Sequence, residues 1–267
     1  MSSVLHVALH PGSVLIALGA GLIAGAVNTV AAGGSILTFP TLIWLGLPPV
    51  LANTTNNVGI WPGNISGAWG LRRELRTLPR RWLLMVVPGL FGGAIGAWML
   101  LHTPSAIFAR LAPWLILMAT LLIAVEPLLR KMQESVRQRF PNATMTRQLE
   151  LALLVQFGVS IYGGYFGAGM GMIILTLLGL LGQDDLHANI GLKNVTALAT
   201  NGIAVVAFVL AGAVIWKLAL LLALGTLTGG WMGAELARKA GRERTRWAVI
   251  AIGVVMTLTL MIHLHGV

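Results

Sequence analysis

Apolar residues fall into ten blocks along this chain, and polar residues collect in the gaps between them. The blocks cover about residues 13–31, 35–47, 51–69, 82–102, 107–127, 149–167, 170–182, 188–211, 215–236 and 245–264. A hydrocarbon layer about 30 Å thick is crossed by roughly 20 helical residues. Backbone in lipid must satisfy its own hydrogen bonds, so apolar blocks of that length predict membrane helices. The second and seventh blocks are too short for a comfortable span. They predict half-helices or re-entrant arms.

Those two short blocks belong to a pattern written twice. The first copy runs from Gly25 through Gly33, Gly34, Ser35 and Pro40 to Gly46, then Ala52-Asn53 and Asn57. The second runs from Gly163 through Gly167, Gly169 and Gly171 to Gly182, then Ala188-Asn189 and Lys193-Asn194. A shift of 136 places carries Gly33 to Gly169, Gly46 to Gly182, Asn53 to Asn189 and Asn57 to Lys193. A shift of 137 carries Gly92-Gly93 and Gly96 to Gly229-Gly230 and Gly233. Glycine-interrupted segments at matching places in two halves mark the binding site of a carrier. The predicted fold class is therefore an all-α integral membrane protein of about ten membrane segments, in two inverted repeats with broken or short helices. Residues 1–128 form the first repeat, 129–148 a cytoplasmic linker and 149–267 the second repeat.

Charge placement predicts the same topology. The net charge is +10, although only 10% of residues are charged and 57% are hydrophobic. The cations gather in three short stretches, around Arg72–Arg81, Arg130–Arg147 and Arg238–Arg246. That is the signature of cytoplasmic loops rather than of a nucleic-acid surface. Two blocks separate the first stretch from the second and four separate the second from the third, so all three fall on one side. Three blocks precede Arg72 and one follows Arg246, which puts both termini outside. If every block crosses, five per half force the second copy to insert upside down; if the two short blocks do not cross, four per half make the repeats parallel or put the loops on different sides. The chain has no cysteine, so it holds no disulfide and no thiolate metal site. The N-terminus lacks the positive flank of a cleaved signal peptide.

The candidate chemistry lies at the glycine breaks. A helix restarting after such a break offers unpaired N–H groups and a positive dipole end, a site for an anion. The breaks at Gly33-Gly34-Ser35 and Gly169–Gly171 are read this way. Gly21/Gly25, Gly92/Gly96 and Gly229/Gly233 are read as close-packing pairs, and Gly92→Ala is expected to be milder than Gly33→Leu. Asn53-Thr54-Thr55-Asn56-Asn57 opens a membrane helix, with Asn64 two turns on, and is read as a cavity lining. Lys193 sits within an apolar block that holds no acid. A cation at that depth costs about 2.5–3.5 kcal/mol on insertion scales and faces a pathway or a partner. Either the ligand supplies its counter-charge, or it snorkels from the helix end. Asp184 and Asp185 cap that helix or face solvent. Glu126 and Glu235 read as interfacial. Trp44, Trp61, Trp69, Trp82, Trp216 and Trp247 read largely as an aromatic belt. No nucleophile–base pair or metal-ligand spacing accompanies these groups.

The motif Gly25-x-x-Asn28 with Gly33-Gly34-Ser35, Pro40, Gly46 and Ala52-Asn53-Thr54, followed by Gly163, Gly167, Gly169, Gly171, Gly182, Ala188-Asn189 and Lys193, resembles the TauE/SafE family of sulfite exporters over nearly the whole chain. The resemblance implies a permease of the bacterial inner membrane for sulfite, sulfonates or related sulfur-containing anions. It supports binding roles for Gly169, Gly171, Asn189 and Lys193. The candidate substrate-binding set is Asn28, Gly33, Gly34, Ser35, Asn53, Asn57, Gly169, Gly171, Asn189, Lys193 and Asn194. The reading is a secondary transporter that exports a small sulfur-containing anion by alternating access. It uses no cofactor, metal or catalytic residue, and its partners are the anion and the lipid bilayer. The alternatives are a permease for a carboxylate or a metal cation, and an intramembrane enzyme.

Overall fold

Proline, aspartate and glycine punctuate the helices where local chemistry requires. The computed structural model of the protein describes residues 11–31, 33–128, 131, 145–181, 183, 185–239 and 242–265. Among them are ten helices longer than ten residues: α1 (Pro11–Ala31), α2 (Gly34–Trp44), α3 (Pro49–Gly70), α4 (Val86–Leu101), α5 (Ser105–Ala124), α6 (Met145–Tyr165), α7 (Met170–Leu180), α8 (Leu186–Leu210), α9 (Trp216–Lys239) and α10 (Arg242–His265). Helix α3 begins at Pro49, where the missing N–H costs nothing. The Asp185 carboxylate caps α8, accepting from the amides of His187 and Ala188, both at 3.0 Å. Each apolar block of the sequence holds one of these helices. Four helices, at Pro11–Thr29, Arg80–Leu101, Ser105–Ala124 and Leu186–Leu210, are long and apolar enough to cross a membrane. Gly34–Trp44, Leu149–Tyr165, Met170–Leu180 and Val249–Ile262 are apolar but shorter. Of the expected linker, residues 129, 130 and 132–144 lie outside the described residues, and α6 starts before its predicted end, at Met145. Gly182 and Asp184 also lie outside them.

Small residues decide which helices touch. A Cβ on Gly21 would stand 2.7 Å from the Leu222 carbonyl oxygen, and one on Gly25 2.5 Å from that of Thr226. From the other side, a Cβ on Gly229 would overlap the Leu22 carbonyl, and α1 and α9 meet backbone to backbone. Helices α4 and α6 meet the same way, through Gly92 on Phe157, Gly96 on Ile161 and Gly164 on Gly93. Gly93 also abuts the Thr200 carbonyl on α8, as Gly230 abuts that of Gly63 on α3. The packing keeps its form when α1–α5 are exchanged with α6–α10. The pair α1/α9 becomes α6/α4, and α3/α9 becomes α8/α4, while α3/α8 and α5/α10 map onto themselves.

Helices α3 and α8 run antiparallel through the centre. The Thr54 hydroxyl donates to the Ala213 carbonyl after α8, and the Ile215 amide donates to Thr55 Oγ1 at 3.1 Å. At the opposite end Gly191 packs on Leu71 and Leu75. Midway, Trp61 Nε1 donates to the Leu198 carbonyl at 2.9 Å. Phe39 of α2, Phe108 of α5 and Phe166 between α6 and α7 pack edge to face, with the Phe39 centroid 6.1 Å from Phe108 and 5.4 Å from Phe166. Those rings hold α2 and the second chain break against the core.

Candidate functional site

Both chain breaks open onto one small, partly open cavity. Helix α3 contributes Asn57, Ile60 and Asn64, and α8 contributes Lys193, Ala197 and Asn201. Spacings of three to four residues place each trio on one helix face. The first break supplies Asn28 at the end of α1 and Ser35 in the first turn of α2. The second supplies Phe166 and Gly167, then Met170 and Gly171 in the first turn of α7. Gly167 and Gly169 hold φ of 82° and 77°, left-handed conformations that cost a side chain about 1 kcal/mol or more.

The first amides of a helix have no carbonyl partner within it. The Ile36 amide turns back to Gly33 O at 3.0 Å, and the Met172 amide to Gly169 O, also at 3.0 Å. Ser35 and Gly171, related by the 136-residue shift, are the second residues of their helices and line the cavity. Two positive helix ends therefore converge there.

Lys193 is 1% exposed, so it does not snorkel. Its Nζ donates to the carbonyl oxygens of Asn28 at 2.7 Å and Thr29 at 3.3 Å. These carbonyls lie in the last turn of α1, where the dipole is negative and the helix leaves acceptors unused. The counter-charge expected from the ligand alone is thus supplied in part by backbone of the other half. Asn28 Nδ2 donates to Asn64 Oδ1 at 3.2 Å, tying α1 to α3 beside the lysine. Asn57 Oδ1, Asn64 Nδ2 and Asn201 Oδ1 are buried without a hydrogen-bond partner. A half-turn of an asparagine amide exchanges its oxygen and nitrogen, so each can present an N–H to a ligand. One ammonium, two helix N-termini and several amides make this cavity electropositive and rich in donors. That chemistry suits a small oxyanion.

Five of the predicted site residues, Asn28, Ser35, Asn57, Gly171 and Lys193, come together here. Gly33 faces away, into an apolar crevice with Val27, Ile36 and Val249. Gly34 packs on α1, where a Cβ would stand 2.6 Å from Ala24 O, and Gly169 packs on Ala119. Asn53 Nδ2 donates to Tyr165 O at 2.9 Å, and Asn189 Nδ2 to Gln183 O at 2.8 Å. Asn194 is buried beside Gly67. The polar run of α3 is therefore mostly connective: Thr54 and Thr55 hold the α8–α9 turn, Asn56 accepts from Thr38, and Asn57 alone reaches the cavity. Asn64 and Asn201 extend the site beyond the predicted set. Their signal was spacing, two turns on from Asn57 and Lys193. Trp82, 1% exposed, and Trp61, bonded to α8, leave the expected belt. Glu126 is 5% exposed and lies 3.7 Å from Arg246, so it joins α5 to α10 inside the protein rather than facing an interface.

The family described as "Sulfite exporter TauE/SafE" matches residues 17–260. A "Probable membrane transporter protein" of Haemophilus influenzae is 29% identical, over 90% of this chain and 91% of its own. "Probable membrane transporter protein YfcA" of Escherichia coli K12 is 27% identical, over 92% and 88%. "Probable membrane transporter protein ORF9" of a Sinorhizobium species is 26% identical, over 91% and 90%. No solved structure matches the chain.

Proposed function

The chain belongs to the sulfite exporter TauE/SafE family of membrane transporters, and from that premise we propose that it is a carrier, not an enzyme, exporting a small sulfur-containing anion such as sulfite or a sulfonate across the bacterial inner membrane. One observation carries the reading. The buried Lys193 ammonium and the helix starts at Ser35 and Gly171 line a single cavity. Among the described residues, no acidic side chain lines it to hold a metal cation. Donors to a charged acceptor contribute about 1.5–3 kcal/mol each.

Alternating access follows from two inverted halves that meet at the cavity. The exchange symmetry of the packing and the antiparallel course of α3 and α8 support it. In this reading all ten helices lie within the membrane, the linker and the other basic loops are cytoplasmic, and both termini are periplasmic. Because the chain has no cysteine, single cysteines replacing Ser3 and His265 should react with an impermeant reagent from the periplasm. A cysteine replacing Arg76 or Gln138 should react only from the cytoplasm. Labelling of positions 3 and 265 from opposite sides would remove the inverted repeat.

Binding is tested by thermal shift of the purified protein with sulfite, ethanesulfonate, a short carboxylate and a divalent metal. The sulfur anions should stabilise it most; stabilisation by the metal alone would refute the reading. Charge is tested by Asn57→Asp. A carboxylate in the cavity would pair with Lys193 and repel an incoming anion. Calorimetric affinity for the anion that binds should fall about tenfold or more, at least 1.4 kcal/mol. A tighter complex would mean that the cavity selects cations.

A further inference from the structure

Among the described residues, Lys193 is the one titratable side chain lining the cavity. Helices α1, α3, α4 and α7, all packed near it, carry no Asp, Glu, His, Lys, Arg or Tyr. On the other elements against α8, Arg72, Arg73, Glu74, Arg76, Arg80 and Arg81 lie in the short helical turns between α3 and α4, Glu150 is exposed, Tyr162 donates to the Ala168 carbonyl and Tyr165 to Thr103 Oγ1; none of them lines the cavity. The α1 C-terminus offsets the ammonium only in part, because the α2 and α7 N-termini add positive charge to the same space. Among the described residues no acidic side chain lines the cavity, so without an anion an ammonium there is offset only by the α1 carbonyls.

A second feature points the same way. The bonds from Lys193 Nζ to Asn28 O and Thr29 O join α8, in the second half, to α1, in the first. An anion in the cavity competes for that ammonium. Occupancy therefore both neutralises the cavity and loosens a tie between the halves, and an unoccupied cavity does neither.

Resting on the anion-carrier reading, we infer that the protein is an obligate anion exchanger. Only the loaded form reorients, so an outgoing sulfur-containing anion is replaced by an incoming small anion at the same site. Like-charged exchange is electroneutral, so the membrane potential neither drives nor blocks it.

The test uses the full chain in liposomes, with external radiolabelled ethanesulfonate or sulfite as probe. Vesicles loaded with unlabelled probe should take up label at least about tenfold faster than vesicles holding only sucrose and zwitterionic buffer, since moving an unneutralised charge through the membrane is costly. Equal rates in the two lumens would overturn exchange and leave a uniporter. Uptake into anion-free vesicles that is driven by a proton gradient and acidifies the lumen would overturn it too, because Lys193 would then shed its charge as a proton. If neither probe enters under any condition while the protein remains folded, the anion-carrier reading falls, and the exchange inference with it.

Discussion

Gly96→Ala is expected to destabilise the protein by about 3 kcal/mol or more, beyond the usual cost of an added methyl in a packed core. The new methyl would overlap the Ile161 carbonyl and stand 2.7 Å from the Tyr165 amide nitrogen. Both neighbours are backbone of α6 and cannot rotate away. Alanine's better helix propensity returns at most about 1 kcal/mol, so overlap wins. Gly229→Ala should behave alike at the α1–α9 contact, where the neighbour is the Leu22 carbonyl. Gly33→Ala should cost little, about 1 kcal/mol. Its φ is −108°, and its nearest neighbours are the side-chain tips of Val249 at 2.8 Å and Ile123 at 3.1 Å. Melting curves followed by size exclusion in detergent separate these cases. A Gly96→Ala protein melting with the wild type would show that α4 and α6 do not approach as closely as described. The sequence ranked Gly92→Ala as milder than Gly33→Leu and read Gly92 as a packing glycine. A Cβ on Gly92 would stand 2.6 Å from the Phe157 carbonyl.

How closely two backbones approach marks the limit of the sequence. Apolar blocks locate helices well because burying apolar length is a property of each segment alone. The ten blocks accordingly coincide with α1–α10 to within a few residues. The two breaks were legible for the same reason, as glycine clusters inside apolar runs. Orientation was not. A break leaves the direction of its residues to tertiary packing, so Ser35 meets the cavity and Gly33, two places earlier, meets α10. Five successive polar residues span more than a full turn of helix. The run from Asn53 to Asn57 therefore points all round α3, and one member reaches the cavity. Lys193 was conspicuous as a cation in an apolar helix, yet its partners are backbone oxygens, which no side-chain pattern displays.

Lys193→Met should separate folding from binding. Removing the charge relieves a burial cost of about 2.5–3.5 kcal/mol. It also removes two bonds to the α1 carbonyls, each worth about 1.5–3 kcal/mol when the donor is charged. These terms oppose each other, so the melting temperature should move little. Anion affinity has no such offset. Truncating one member of a buried charge pair costs about 2–5 kcal/mol, or roughly thirtyfold and upward in affinity. The helix N-termini at Ser35 and Gly171 remain, at up to about 2 kcal/mol each, too little to hold the anion alone. Calorimetric titration of sulfite and ethanesulfonate into wild-type and Lys193→Met protein in detergent tests the account most directly. It predicts affinity weakened at least about thirtyfold with the fold retained; an unchanged affinity in the folded variant would contradict it and take Lys193 out of the site.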